Sequence, residues 1–244
     1  MVFGLFSKDK ALKRTIDRAT NKLSQQPDRW SAMERLRDDG SDEALYGLCR
    51  RFSFTSTKST EDEQEKTWAV EALVGKGEVA LPAVRRYLKS NTAIAFALKV
   101  LEGAAARPKL LEIVDVLLAD EAPGYTRDPE KRIQLIHWLG EWKGGTSADV
   151  VPRITPYLAD YDENVRFAAA DVLAHHPVPE ANPPLLAALV REKEESRRLR
   201  HRIAELLVDA KTPLGEHEPA VASLLPEVLT AYRIETGVLI RKGT

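Results

Sequence analysis

The clearest structural signal in this chain comes from residues 154–173, which read ITPYLADYDENVRFAAADVL. Apolar side chains recur at steps of three and four residues, and such periodicity, typical of amphipathic helices, extends along nearly the whole chain. Glycines and prolines fall mostly between the helical stretches, for example at residues 75–77, 144–145 and 213–215. The pattern predicts an all-α protein of about a dozen short antiparallel helices.

A repeat becomes visible when the chain is aligned on the leucine near the end of every second helix. These leucines are Leu36, Leu73, Leu101, Leu139, Leu173 and Leu207. Their successive spacings of 37, 28, 38, 34 and 34 residues are those expected of two-helix repeats. Because a single helix pair cannot bury its apolar face alone, the repeats are predicted to stack into one continuous core.

The same alignment places a basic residue seven positions before the leucine in five of the six repeats. We call these residues the basic column: Arg29, Lys66, Arg132, Arg166 and Arg200. The sixth position is Ile94. The column is predicted to lie at the starts of the second helices.

Residues 154–173 resemble a HEAT repeat, whose pattern is an apolar helix, an aspartate in the turn, then Val-Arg, Ala and Leu on the second helix. Asp160, the Val165-Arg166 pair, Ala169 and Leu173 stand at those positions. Residues 33–45, MERLRDDGSDEAL, resemble the bacterial HEAT-like variety, which includes repeats related to phycobilin lyases. The resemblance implies a right-handed α-α superhelix, or solenoid, of about six helix pairs that acts as a scaffold or binding platform.

The resemblance covers most of the chain, and we expect a single solenoid domain over residues 1–244. It would consist of an N-terminal capping helix at 8–24, repeats at 28–210 and a C-terminal capping helix at 217–236. Extra length lies at 53–62 and 120–128, where each segment is predicted to join the first to the second helix of its repeat. Long loops of this kind are functional in many proteins, and slack at a surface is the alternative.

The overall composition limits the classes of function. The chain has 36 Lys+Arg, 37 Asp+Glu and a net charge of −1, which argues against a dedicated nucleic-acid or anionic-membrane protein. Cys49 is the one cysteine, so no intrachain disulfide is expected, and no apolar run reaches the length of a membrane span. The apolar start, MVFGLF, is predicted to pack as a cap on the first helix. The cytoplasm is the expected compartment.

None of the common motifs for nucleotide binding, zinc proteolysis or serine hydrolysis is present in the sequence. We therefore expect no catalytic residue, no cofactor and no metal site, and a protein that is not an enzyme.

Two interpretations of the basic column remain open. In the family, the spacing from Asp160 to Arg166, repeated from Glu194 to Arg200, pairs a turn carboxylate with a helix arginine between repeats, which would make the column a structural ladder. Alternatively, an unneutralised column would form an anion-binding stripe for an acidic partner or a nucleic-acid backbone.

Four further residues are candidates for partner binding. Arg198 and Arg202 are one helical turn apart and share a face, and Trp138 and Trp142 lie four residues apart on one helix. A solvated, salt-bridged helix is the alternative for the arginines, and core packing is the alternative for the tryptophans.

The leading hypothesis is a non-enzymatic scaffold that binds an unidentified, acidic protein partner on its concave face. Two alternatives follow from the resemblance: a nucleic-acid-binding HEAT-like protein similar to alkylpurine DNA glycosylases, and a chaperone similar to phycobilin lyases. A sequence pI of 6.6 counts against nucleic acid as the partner. The sequence does not define the oligomeric state.

Overall fold

The computed structural model describes residues 2–243, with side chains described from residue 8 onward. Its first seven helices are α1 (Val2–Ala19), α2 (Gln26–Asp39), α3 (Asp42–Cys49), α4 (Ser59–Val74), α5 (Leu81–Ser90), α6 (Ala95–Ala104) and α7 (Arg107–Asp120). The helices that follow are α8 (Glu130–Glu141), α9 (Ser147–Ile154), α10 (Glu163–Ala174), α11 (Asn182–Leu189), α12 (Arg197–Asp209) and α13 (Glu218–Leu224). A β-hairpin, β1 (Tyr232–Glu235) and β2 (Val238–Arg241), completes the described chain. The predicted all-α class is confirmed, and consecutive helices pack as the pairs α1/α2, α3/α4, α5/α6, α9/α10 and α11/α12.

The chain divides into two compact units, which we call the N-terminal unit (Met1–Leu117) and the C-terminal unit (Leu118–Thr244). In the N-terminal unit, α4 packs between α2 and α6, while α3 packs between α1 and α5. In the C-terminal unit, α10 packs between α8 and α12, with α9 against α10 and α11 against α12. Second helices therefore stand beside second helices within each unit, as repeat stacking requires.

The residues used for the alignment form the core. All six leucines are buried, as are the residues four positions before them: Ala32, Ala69, Ala97, Leu135, Ala169 and Ile203. A side chain on Gly140 of α8 would come within 2.6 Å of Val172 on α10, so these helices also approach closely. Small residues at these places allow the second helices to pack side by side.

The helix starts follow ordinary capping rules. The Asp162 carboxylate accepts hydrogen bonds from the backbone N–H groups of Asn164 and Val165 at the start of α10. The Ser196 hydroxyl accepts one from Leu199 at the start of α12. Thr146 and Asp149 form a capping box at α9. These caps satisfy N–H groups that have no partner inside the helix, and they fix where α9, α10 and α12 begin.

The C-terminal prediction was wrong in its secondary structure. The helix predicted at 217–236 ends at Leu224, and the chain then forms an antiparallel hairpin in which Tyr232 pairs with Arg241 and Glu235 with Val238. Pro226 lacks an N–H and disfavours helical geometry in the residue before it. Thr236 and Gly237, with φ of 49° and 77°, form the two-residue turn.

Three other boundaries differ from prediction. The N-terminal helix ends at Ala19 rather than at 24, and it pairs with α2. The supposed loop at 53–62 is shorter, because a 3₁₀ turn occupies Arg50–Ser53 and α4 begins at Ser59. The second supposed loop corresponds to residues 121–129. The capping role predicted for Phe3, Leu5 and Phe6 lies outside the described side chains. Every helix within residues 2–243 is too short or too polar to cross a bilayer.

Candidate functional site

In the C-terminal unit the basic column takes part in a ladder between repeats. The Arg132 guanidinium on α8 lies 2.6 Å from the Asp160 carboxylate, which precedes α10. Arg166 on α10 donates two hydrogen bonds to Glu194, of 2.7 and 2.8 Å, and Glu194 precedes α12. Asp160 and Glu194 are both buried. Each arginine thus pairs with the acid of the following repeat, and the ladder interpretation holds for these two residues.

The last arginine of the column ends the ladder. Arg200 is half-buried and donates to the Arg191 carbonyl oxygen at 2.9 Å, while its Nε is buried without a partner. No carboxylate within the described residues pairs with it. The column is therefore a sequence of contacts between helices, and an open stripe for an acidic partner is not what these residues form.

The N-terminal unit instead gathers its charges in one buried cluster. Arg29 and Arg51 both donate to Glu65, with the closest contacts at 2.8 and 2.6 Å. Arg51 also lies 2.7 Å from Asp62, and Lys66 lies 2.7 Å from the other oxygen of that carboxylate. Arg51 and Glu65 are fully buried. Because isolated buried charges are very unfavourable, these five groups depend on one another.

The cluster perturbs the titration of one carboxyl group. Burial alone would raise the pKa of Asp62, but hydrogen bonds from Lys66, Arg51 and the Ser56 amide outweigh it and lower the pKa below its usual value. Arg51 lies outside the basic column, and the sequence analysis missed it. The sequence held one signal for a further basic partner. The start of α4 carries more carboxylates than Arg29 and Lys66 can pair with.

The ladder also holds the loop at 121–129 in place. Arg132 donates to the Gly124 carbonyl oxygen at 2.9 Å, and the Gly124 amide donates to Asp160 at 3.2 Å. Arg166 donates to the carbonyl oxygens of Asp160 and Tyr161, at 3.0 and 2.9 Å. Arg132 thus fixes the loop before α8, and Arg166 fixes the turn before α10.

Two exposed tyrosines stand on these fixed segments, and we call them the tyrosine rim: Tyr125 and Tyr161. Their side chains are 78% and 71% exposed, and their rings meet edge to face with centroids 5.3 Å apart. Neither was a predicted site residue, although Tyr125 lies in the segment singled out as a long loop. Large exposed aromatic side chains on a rigid support are typical anchors for a protein partner.

A buried tyrosine also holds the loop at 121–129 by hydrogen bonds. The Tyr157 hydroxyl donates to the carbonyl oxygens of Leu118 and Glu121, at 3.2 and 3.1 Å. Burial raises the pKa of Tyr157 to about 12, so the hydroxyl keeps its proton at physiological pH.

The other predicted residues lie on α8 and α12. Arg198 is exposed, stacks over the Phe167 ring at 4.2 Å and donates to Asn164 at 3.1 Å. Arg202 donates to Asp171 at 3.0 Å. Both arginines therefore bridge α10 and α12 on one face, and Arg198 keeps open surface near the start of α12.

Trp138 and Trp142, the two tryptophans predicted to bind a partner, pack against the protein and differ in how deeply they are buried. Trp142 is buried, and it stacks on the half-buried Trp138 with centroids 5.9 Å apart. Gly145 lies so close that a side chain there would meet the Trp142 ring at 2.7 Å. Trp142 thus fills the turn after α8. No group of three or more His, Cys, Asp or Glu side chains within the described residues is placed to hold a metal ion.

Comparison with known proteins bears on the fold. Residues 125–208 match the family model described as HEAT repeats. A sequence search of characterised proteins finds no match. Among solved structures, human deoxyhypusine hydroxylase in complex with glycerol is similar at 17% identity and a TM-score of 0.35, over 93% of each chain.

That neighbour corrects one prediction. It is named as an enzyme, which contradicts the expectation that this chain is not one, because a HEAT-like fold does not exclude catalysis. The likeness is too low to transfer an activity or a site. The family match, in contrast, covers the ladder residues Arg132, Asp160, Arg166 and Glu194. The match shows HEAT repeats within residues 125–208.

Proposed function

We propose that the chain binds a partner protein through the tyrosine rim of its C-terminal unit. The observation that carries this proposal is the pair of exposed rings, Tyr125 and Tyr161, on segments held by the buried ladder. Tyrosine loses little side-chain entropy on binding and offers both an apolar ring and a hydroxyl group. HEAT repeats commonly serve as interaction scaffolds, which agrees with this role.

The hydrogen bonds that hold the tyrosine rim in place favour a role in partner binding over an incidental exposure of the two rings. Exposed loops are normally mobile, yet the Gly124 backbone uses both its carbonyl and its amide in bonds to buried side chains. A loop that is already ordered loses less entropy when a partner binds. In this proposal Arg132 and Arg166 act as positioning residues behind the surface rather than as contacts.

Arg198 extends the proposed surface. From α12 it contacts Phe167 and Asn164, which lie on the first turns of α10 after Tyr161, so a partner that covers the rim would reach it. Trp138 and Arg202 lie further along α8 and α12 and belong to the edge of the proposed surface. The proposed compartment is the cytoplasm, as predicted from the sequence.

The test compares three forms of the full chain as bait in affinity purification from the native cell. The double variant Tyr125→Ala/Tyr161→Ala should lose a protein that the wild type retains. The control Leu23→Ala/Val79→Ala removes two other exposed apolar side chains, 85% and 65% exposed, and should retain it. Equal retention by all three forms would overturn the proposal. Circular dichroism and the melting temperature confirm that each bait is folded.

The DNA glycosylase-like and phycobilin lyase-like alternatives rest on sequence resemblance alone.

A further inference from the structure

A groove between α1 and α2 collects arginines that have no partner. It has a volume of about 220 Å³ and is lined by Ala11, Arg14, Thr15, Arg18, Ala32 and Arg35. At about 30 Å³ per water molecule, this space holds roughly seven waters, enough for one compact anion. No carboxylate lines the groove.

The absence of partners is unusual for arginines in this protein. Among the described residues, six arginines make no side-chain hydrogen bond or ion pair: Arg14, Arg18, Arg35, Arg50, Arg127 and Arg197. Three of the six line this one groove. The remaining arginines pair with carboxylates, carbonyl oxygens or aromatic rings, as Arg29, Arg132 and Arg198 do. The groove thus concentrates positive charge that the protein does not neutralise.

The arrangement is unfavourable without a ligand. Arg14 and Arg18 are one helical turn apart on α1, where like charges repel and destabilise a helix. Arg35 approaches from α2 and adds a third positive charge. The Thr15 hydroxyl already donates to the Ala11 carbonyl oxygen at 3.1 Å, so the guanidinium groups are the donors that remain. A bound anion would offset the repulsion.

We propose that this groove binds a phosphate group of the phosphomonoester type. A phosphomonoester carries up to two negative charges and presents three acceptor oxygens. Three guanidinium groups from two helices supply enough donors for all three oxygens, since each guanidinium can donate parallel hydrogen bonds to a pair of oxygens. A carboxylate has one charge and two oxygens, and it would leave part of the positive charge without a counterion.

The test uses inorganic phosphate as the probe and the full chain at constant ionic strength. Isothermal titration calorimetry should detect binding to the wild type. The groove variant Arg14→Gln/Arg18→Gln/Arg35→Gln should bind at least about tenfold more weakly, because it lacks every charged donor of the site. In phosphate-free buffer its melting temperature should equal or exceed that of the wild type, since the repulsion is gone.

The chain supplies a matched control in Arg50→Gln/Arg127→Gln/Arg197→Gln. This variant removes the same number of exposed, unpaired charges outside the groove and should bind phosphate as the wild type does. Vesicles of phosphatidylcholine with and without phosphatidic acid distinguish a lipid headgroup from a soluble phosphate compound. Loss of binding confined to the groove variant, with either probe, supports the proposal. No binding to either probe, or equal loss in both variants, would overturn it.

Discussion

The two units hold their second helices together with the same chemistry arranged in two ways. In the C-terminal unit, each arginine of α8 and α10 pairs with one acid of the next repeat, as Arg132 does with Asp160. In the N-terminal unit, Arg29 and Arg51 share the single carboxylate of Glu65. A one-to-one ladder can be extended by adding repeats, whereas a shared cluster cannot. The cluster makes several helices depend on one residue.

The difference also accounts for the extent of the family match. The matched segment, 125–208, contains the turn acids and helix arginines of the ladder. In the N-terminal unit the acids come from inside α4, and Ile94 takes the basic position at the start of α6. The N-terminal helices stack in the same manner without the turn acid and helix arginine of the ladder.

The largest expected effect follows from breaking the shared cluster. Glu65→Gln leaves Arg29 and Arg51 buried without their common negative charge, and we expect a loss of about 3–5 kcal/mol in the free energy of unfolding. Denaturant unfolding measures the loss, and amide hydrogen exchange should place it in α2 and α4. Glu63→Gln, an exposed position on the same helix, is the control and should change little. Equal stability of the two variants would contradict the shared cluster.

Breaking one step of the ladder should cost less. Asp160→Asn removes the charge that faces Arg132 but keeps an oxygen that can accept from the Gly124 amide, so we expect a loss of about 2–3 kcal/mol. Hydrogen exchange should rise in the loop at 121–129. The exposed Asp209→Asn serves as the control in the same unit. A loss as large as that of Glu65→Gln would show that the ladder is as interdependent as the cluster.

The ladder was largely accessible from sequence, and the cluster was not. Asp160, Arg166 and Glu194 stand at repeated positions, so their register follows from alignment of the chain with itself. Arg51 stands in a 3₁₀ turn outside the basic column, and its burial depends on where α4 places Glu65 and Asp62. Tertiary placement, rather than periodicity, decides such a contact.

The rim and the hairpin were missed for different physical reasons. Tyr125 and Tyr161 stand on segments held by bonds to backbone atoms of Gly124 and Tyr161, which no side-chain pattern encodes. The hairpin did have a signal, since apolar and polar residues alternate in β1 (YRIE) and Gly237 marks a turn, although β2 (VLIR) shows no alternation. Two four-residue strands are too short to stand out in a chain whose periodicity is otherwise helical.

Acid should affect the cluster through Asp62. A group whose pKa is lowered on folding contributes stability that is fully present above its unfolded value, near 3.8, and is lost as the pH falls through the lowered folded value. Below pH 3.8 the unfolding free energy of the wild type should therefore fall more steeply than that of Asp62→Asn. Chemical denaturation between pH 2.5 and pH 6, as an approximate range set by these carboxyl values, measures both slopes. Parallel slopes would contradict the assignment.

The smallest expected effect is a gain in stability confined to the C-terminal unit. Thr236 has a φ of 49°, which is strained for a β-branched side chain, while Gly237 at 77° adopts its conformation freely. Asn-Gly is the favoured pair for a two-residue turn of this kind, so Thr236→Asn should raise the free energy of unfolding by about 0.5–1 kcal/mol. Gly237→Ala should act in the opposite direction, because it introduces a side chain at positive φ. Thermal unfolding with hydrogen exchange tests both signs: protection should change in β1 and β2, while the exchange of α2 and α4 stays the same. If protection also changes in α2 and α4, the two units unfold as one cooperative structure. The ladder and the cluster would then be two parts of that single structure.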